Sequence, residues 1–307
     1  MKIELNDRRL VIFTQLEKGA SGEELAKKFG VSRTSVWKFV QKLEEAGYVL
    51  ERRPKYRIVS KPDPSPFDMA LALKKIPGLQ NFYYFREVDS TNRFAKEVEN
   101  SAVFAETQSA GRGRIGRKWE SQRGGLYVSF SLNISIPVNE IPKLTLLAGV
   151  AVAKTLEDYE ARIKWPNDVL INDKKVSGIL SEFVGEELSA RVIMGIGINV
   201  KNKIPGHLRD KAISLKEIDE SVSITDIFVR LCTNLSELMK RYPSEWKSIL
   251  GEWKRLSSTI GKHVVIEAGG RKYRGMAIDI DLDGGLIVRT EHGNEKIISG
   301  ECFYTSY

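Results

Sequence analysis

The sequence predicts an α+β protein of several domains: a helical N-terminal module with a β-hairpin wing, a central mixed α/β domain, and a small C-terminal β-barrel. Three observations predict this. The 307 residues and 34.6 kDa exceed one ordinary domain and suit two or three. Residues 1–60 carry capped helical patterns and 13 Lys and Arg against 8 Asp and Glu, +5 of the chain's net +8. The run KPDPSP at residues 61–66 then breaks the pattern as a semi-rigid linker, and strand periodicity follows.

The first helix runs from about Asp7 to Lys18, with Leu10, Phe13 and Leu16 at helical spacing, and Gly19 stops it. The second opens at Ser21 with Glu24 three residues on, a capping box, buries Leu25 and Phe29, and ends at Gly30. Ser32 caps the third, whose apolar stripe is Val36, Val40 and Leu43, and Gly47 terminates it. Tyr48–Glu51 and Tyr56–Val59 are β-prone runs joined by Arg52, Arg53, Pro54 and Lys55. Because only Gly30 and Val31 separate helices two and three, residues 1–62 form a winged helix-turn-helix pattern. Its third helix, starting at Ser32, would turn Arg33, Thr34, Trp37 and Lys38 to phosphates and base edges, and Arg52 and Arg53 would reach a neighbouring phosphate. The basic excess points to DNA. A helical protein-interaction module is the alternative.

The central region, residues 63–256, begins with a strand at Phe82–Val88, and Asp89, Ser90 and Thr91 then cap a short helix through Glu99. Leu126 to Val138 alternates apolar residues with Ser129, Ser131, Asn133 and Ser135, the mark of a half-buried strand. Pro142 opens a helix to about Tyr159; hairpin-like segments follow at Arg162–Glu182 and Phe183–Val200, and Ile224–Lys254 is helical. In residues 257–307, short strands at His263–Glu267, Arg271–Asp281, Leu286–Glu291 and Glu295–Ile298 are split by Gly-rich turns, as in a small barrel. Asp279, Asp281, Asp283 and Gly284 imitate the start of a calcium loop. Its twelfth position is Thr290 rather than Glu and no helices flank it, so it reads as a hairpin turn.

Composition narrows the function classes. Hydrophobic residues at 42% and charged ones at 29% exclude wholesale disorder. No apolar run approaches the roughly 20 residues that span a bilayer, and MKIELNDRR lacks the apolar core of a secretory signal. Cys232 and Cys302 cannot build a disulfide framework and suit a reducing cytoplasm. His207, His263 and His292 lie far apart with no neighbouring cysteine, which argues against a zinc site; no metal-binding residues are expected.

Two segments carry chemistry. In QSAGRGRIGRKW, Gln108–Trp119, the spacing of Gly111, Gly113 and Gly116 matches G-x-G-x-x-G, but the glycines precede a strand instead of joining a strand to a helix. Arg112, Arg114 and Arg117 between them suit a nucleoside phosphate or an acyl phosphate, with backbone amides approaching the anion and guanidinium groups neutralising it. A plain Arg/Gly nucleic-acid tract is the alternative. In KWPNDVLINDKKVSGILSE, Lys164, Asn167 and Asp168 bracket Pro166. Lys164 could face a phosphate, Asp168 a magnesium ion or a ribose hydroxyl, and Lys175 follows the turn at Asn172 and Asp173. No G-x-S-x-G elbow or Cys/His pair is evident, so the chemistry expected is charge stabilisation by positioned cations.

The succession STN at Ser90–Asn92, Gln108, GRGRIGRKW at Gly111–Trp119, KWPND at Lys164–Asp168 and KVSGIL at Lys175–Leu180 resembles the biotin–protein ligases. With its winged helix, the chain is similar to the bifunctional type that also represses biotin genes, over nearly its whole length to GEC at Gly300–Cys302. It departs from the usual pattern at Ile115, Gln122 and Ser177. The resemblance implies a central ligase domain, an SH3-like C-terminal barrel, and a two-step reaction: biotin and ATP give biotinyl-5′-AMP with Mg²⁺ present, then a lysine of a biotin carboxyl carrier protein takes the biotin. It also implies biotin contacts from Ser90, Thr91, Asn92, Gln108, Arg112, Gly113, Arg114 and Lys175. Of these, Lys175, Arg112 and Arg114 would be catalytic. ATP contacts would come from Gly111, Arg114, Trp119, Lys164, Asn167, Asp168 and Asn199. Operator DNA and a ligand-promoted homodimer complete the implied partners. A catalytically dead ligand sensor and a lipoate ligase are the rival readings.

Overall fold

The computed structural model describes residues 1–137, 140–186 and 189–305. The chain opens with a strand, β1 (Lys2–Glu4), followed by α1 (Arg8–Lys18), α2 (Gly22–Phe29) and α3 (Arg33–Glu45). Local chemistry starts each helix. Asp7 accepts from the Arg9 backbone N–H at 2.8 Å, Ser21 and Glu24 form the reciprocal box, and Ser32 accepts from the Ser35 N–H at 3.0 Å. Gly30 ends α2 at φ 61°, the left-handed region that glycine enters without a Cβ penalty. Leu10, Phe13, Leu16, Leu25, Val36, Val40 and Leu43 are buried, as their spacing predicts. The wing is the two-stranded ribbon of β2 (Val49–Glu51) and β3 (Arg57–Ser60).

The Pro-rich segment after the wing is fastened to both of its neighbours. It leads into α4 (Pro66–Leu73), where Phe67 stacks on Phe13 at 5.3 Å and meets Phe39 and Tyr48 edge-on at 5.4 and 6.0 Å. The Tyr48 hydroxyl lies 2.7 Å from Ser65 Oγ. Asp63 accepts from the Ile224 and Thr225 N–H groups at 3.1 and 2.8 Å and from Lys201 Nζ at 2.5 Å. One carboxylate thus caps a later helix and pins the wing's exit strand to the central domain.

The central sheet has eight strands in the order β1-β4-β5-β6-β10-β9-β8-β7. They are β4 (Asn81–Val88), β5 (Ser101–Gln108), β6 (Leu126–Ile136), β7 (Arg162–Lys164), β8 (Asp168–Ile171), β9 (Lys174–Glu186) and β10 (Ser189–Ile198), and only β4 and β5 pair in parallel. The chain's first strand is therefore an edge strand of this sheet, a role that three residues do not announce. On one face lie α4, α6 (Ile141–Thr155), α7 (Ile224–Arg241) and α8 (Trp246–Leu256); α5 (Thr91–Glu97) covers the other, its Ala95 packed with Val103 and Ile193 of the sheet. Because α5 sits there, Ser129 and Ser131 of β6 are fully buried and the strand is not half-exposed, contrary to its alternating pattern. Its expected last residue, Val138, lies outside the described residues. The expected Ile224–Lys254 helix is two helices, divided at Pro243, which has no N–H to give an α-helix interior.

The C-terminal domain is a five-stranded antiparallel sheet, β14-β13-β12-β11-β15. It is built from β11 (His263–Ala268), β12 (Arg271–Ile280), β13 (Leu286–Thr290), β14 (Gly293–Ile297) and β15 (Glu301–Tyr304). The Asp-rich segment is a hairpin turn: Asp281 accepts from the Asp283 and Gly285 N–H groups at 2.9 Å each. It docks on the central domain, since Trp246 Nε1 donates to Leu282 O at 2.7 Å and Trp165 Nε1 to Gly284 O at 3.3 Å. Among the described residues no helix is long and apolar enough to cross a membrane.

Burial works to raise the Asp63 carboxyl, but its bonds from Lys201, Thr225 and Ile224 outweigh this and hold it below the ordinary range. A depressed carboxyl pKa gives stability that is full above about pH 4, the unfolded value, and is lost as pH falls through the folded one. Asp63→Asn should therefore cost about 1–2 kcal/mol at pH 7 and nothing once both forms are neutral. Urea denaturation at pH 7 and in acid checks this; an equal loss at both pH values would contradict it.

Candidate functional site

Glycines in β9 and β10 form the floor of a cleft. A Cβ at Gly195 would fall 2.0 Å from Asn92 Oδ1; one at Gly197 would fall 2.7 Å from the Trp119 indole, and one at Gly178 2.8 Å from the same ring. Asn92 and Trp119 can therefore lie directly on the strands. Asn92 Nδ2 donates to Leu180 O at 3.2 Å and to Glu182 at 2.9 Å, while its Oδ1 accepts from the Ser129 hydroxyl at 2.6 Å. The Thr91 N–H donates to Gln108 Oε1 at 2.8 Å, and Gln108 Nε2 to Ser121 Oγ at 2.8 Å. With Ser90 capping α5, these buried and half-buried groups make a polar cradle whose orientations are fixed before any ligand arrives.

Above the cradle, Gly111–Trp119 folds back on itself. The Gly113 N–H donates to Arg117 O at 2.7 Å and the Trp119 N–H to Gly111 O at 3.0 Å; Ile115 at the tip has φ 53° and is 71% exposed. Arg114 turns inward, donating to Asn167 Oδ1 at 3.0 Å and Gly300 O at 3.3 Å, and burial lowers its pKa. Arg112 reaches Glu182 at 3.4 Å, and Arg117 pairs with Glu301. Burial works to raise the Glu182 carboxyl, but Lys96, Asn92 and Arg112 hold it below its ordinary range. Opposite, Lys175 Nζ lies 2.7 Å from Asp168 and 5.2 Å from the Trp119 ring centroid, and Lys164 Nζ lies 4.5 Å from that of Tyr304.

The resulting cleft, about 770 Å³, lies between the central and C-terminal sheets, a size that takes a nucleotide-sized ligand. Its lining carries Arg112, Arg114, Arg117, Lys118, Lys164, Lys175 and Lys211 against Asp168, Asp173, Asp210 and Glu301, so it suits a polyanion. Ser90, Thr91, Asn92, Gln108, Gly113, Trp119 and Asn167 also line it. Gly111 and Asn199 do not. Gly111 packs behind the loop, where a Cβ would meet Ser121 and Trp119 at 2.5 Å, and the buried Asn199 accepts from Asn202 Nδ2 at 3.1 Å. Sequence reasoning missed Glu182, the glycine floor and the strip from Gly300 to Tyr304. The alternating glycines of GIGIN were the available signal for the floor. Among the described residues no three His, Cys, Asp or Glu are grouped to hold a metal ion, and burial pushes the Cys302 thiol up to about 12.

A second, open groove lies between α3 and the wing. Arg33, Thr34, Trp37 and Arg52 line it, Lys38 and Arg53 are exposed outside it, and Ser32 is occupied as the helix cap. Three of its cations are already paired: Arg33 with Glu23, Arg52 with Glu44 at 2.6 Å, and Lys55 with Glu24 at 3.1 Å. Exposed pairs like these are weak and exchange readily for phosphate.

A helix-turn-helix module joined to a cationic cleft with a polar cradle defines a protein that takes an anionic, nucleotide-sized ligand and carries a fold used to bind nucleic acid. The sequence model of the biotin/lipoate A/B protein ligase family matches residues 84–199, that of the biotin protein ligase C-terminal domain residues 259–304, and a helix-turn-helix domain residues 8–63. The chain is 36% identical over 300 residues to the bifunctional ligase/repressor BirA of Bacillus subtilis, with 92% of each chain covered. It is 29% identical to the Escherichia coli protein of that name, with 92% and 91% covered. The biotin protein ligase of Aquifex aeolicus in complex with biotin and ATP superposes with a TM-score of 0.65 at 34% identity, over 74% of this chain and 99% of that one. The chain belongs to the biotin/lipoate protein ligase family.

The glycine floor can be tested directly. Gly197→Ala should force Trp119 off the strands, costing about 1–3 kcal/mol by overpacking and shifting tryptophan emission to the red. Thermal unfolding and fluorescence check it, and an unchanged midpoint and spectrum would show that the ring does not rest there.

Proposed function

We propose that the protein is a biotin–protein ligase that also represses biotin genes through its winged helix. The observation that carries the catalytic reading is the meeting, in one cleft, of the cradle of Ser90, Thr91, Asn92 and Gln108 with Arg114, Lys164 and Lys175. Biotin anchored by its polar end in the cradle would extend its carboxylate toward the cations that must also hold the α-phosphate of ATP. The bifunctional relatives, and the solved relative's complex with both substrates, support the same assignment.

In the first step a carboxylate oxygen of biotin attacks the α-phosphorus, the bond to the β-phosphate oxygen breaks, and pyrophosphate leaves. In the second, the neutral amine of a carrier-protein lysine attacks the acyl carbon; the bond to AMP breaks, an amide forms, and a proton is released. Both steps join or separate negative oxygens, so fixed cations and hydrogen-bond donors suffice without a side-chain nucleophile. Lys175 and Arg112 would stabilise charge at the reacting groups. Arg114 and Gly113 would wrap the adenylate, with Trp119, Lys164, Asn167 and Asp168 on the nucleotide side. Gly111 and Asn199 would act from behind the cleft, by shaping the loop and the end of β10. Magnesium would neutralise triphosphate charge, and Asp168 is a cleft carboxylate suited to share it with phosphate oxygens and water. The two free cysteines suit a cytoplasmic location.

For repression, one winged helix alone would bind DNA mainly through salt-sensitive phosphate contacts, so specificity calls for two modules on one DNA face. Biotinyl-AMP would order the Arg/Gly loop, favour a homodimer and so act as co-repressor, while unmodified carrier protein would consume it and leave the monomer free for ligation. Such coupling is worth about 1–3 kcal/mol.

Lys175→Ala should cut adenylate formation, read as biotin-dependent pyrophosphate release, by roughly 10²–10³-fold. An unchanged rate would remove Lys175 from the reaction. Sedimentation with biotin plus ATP should shift the protein from monomer to dimer, with a gel shift on the biotin-gene promoter under the same conditions. A ligand-independent dimer would contradict the switch.

A further inference from the structure

If the cleft makes biotinyl-AMP, as proposed above, the acceptor lysine must enter through its open side, and the surface beside that opening must meet the acceptor's domain. β15 leads from the opening onto the outer face of the C-terminal sheet. Gly300 O accepts from Arg114, Glu301 pairs with Arg117, and Phe303, two residues on, shares the face of Glu301 while Cys302 between them is buried. Residues opposite one another in antiparallel strands share a face, and the register carries this one outward. Phe303 is opposite Val265, Val265 is opposite Arg274, and in the adjacent row Met276 is opposite Arg289.

The charges of this face are not balanced. Lys272 is matched by Glu267 at 2.7 Å, but Arg274 and Arg289 are exposed and form no ion pair among the described residues. Phe303 is 43% exposed in the same row as Arg274. Neither arginine lines the cleft, so neither serves the phosphates there. Guanidinium groups with no ion pair among the described residues, on the same sheet face as an exposed ring, suit an acidic partner that carries an apolar side chain.

We propose that this outer face of the C-terminal sheet is the docking surface for the carrier protein, and that its partner is an acidic carrier domain with an apolar side chain near the target lysine. The arginines attract and orient the acidic domain, which speeds encounter and makes it sensitive to salt. Phe303 covers the apolar side chain at the opening.

The test is the double variant Arg274→Glu/Arg289→Glu, two exposed changes outside the cleft. Two rates are measured: biotin-dependent pyrophosphate release without acceptor, and transfer to the recombinant biotin carboxyl carrier domain of the same organism, at low and high salt. Pyrophosphate release should match the wild type, the KM for the carrier should rise about tenfold, and most of the wild type's salt dependence should vanish. An unchanged carrier KM would overturn the proposal. An unchanged KM with a weakened gel shift on promoter DNA would overturn it in favour of a DNA-facing surface. A wild type that releases no pyrophosphate would instead sink the ligase reading, and this proposal with it.

Discussion

Seven cations against four carboxylates in one part-buried cleft repel one another, and much of the structure around the site holds them in place. Four of the seven have the following local partners. Lys175 rests on Asp168 and faces the Trp119 ring, Arg112 reaches Glu182, Arg117 pairs with Glu301, and Arg114 spends its donors on Asn167 and a backbone carbonyl. None of these partners supplies more than one negative charge, so a polyphosphate entering the cleft offers the cations more than they already have. Bulk water would weaken every such interaction, and enclosure between two sheets strengthens them.

The same constraint explains why the C-terminal domain is fastened to the ligase domain. Arg114 and Arg117 both find partners in the strip that begins β15, so loop and domain close the cleft together. The Trp165 and Trp246 indoles fix the Asp281 turn of that domain to the central body. At the other end, Phe67 and Asp63 lock the winged helix onto the ligase domain. Lys201, which holds Asp63, also donates its backbone N–H to Gly124 O at the base of the Arg/Gly segment. Two contacts, Gly124 to Lys201 and Lys201 to Asp63, thus join the segment after the Arg/Gly loop to the linker of the winged helix, a short physical route for the proposed link between adenylate and DNA binding.

The helices of the winged module were legible because each carries its own cap and stop: Ser21 with Glu24, Gly30, and Ser32. The strands of the C-terminal sheet were legible from Gly-rich turns between short β-prone runs. Elements set by tertiary contact were not. β1 is three residues long, and β5 is buried on both faces from Ser101 to Ala105, so it shows no alternation; α4 is hidden behind three prolines. For the site, the Arg/Gly loop and KWPND point to phosphate chemistry by residue type alone. That they face one cradle with Ser90, Thr91 and Asn92 came only from the family resemblance, because α5, β5 and β9 are brought together by the sheet order. Glu182 was unreadable for the same reason: its partners Asn92, Lys96 and Arg112 lie some 70 to 90 positions away.

Cleft, loop and carrier surface all serve a single reaction, the joining of biotin to a lysine. Mass spectrometry of a carrier domain incubated with this protein, ATP and biotin, with lipoate in a parallel sample, tests it most directly. A mass increase of one biotinyl group on one lysine is expected, dependent on ATP and absent with lipoate. No mass change with biotin, or modification by lipoate in its place, would contradict it.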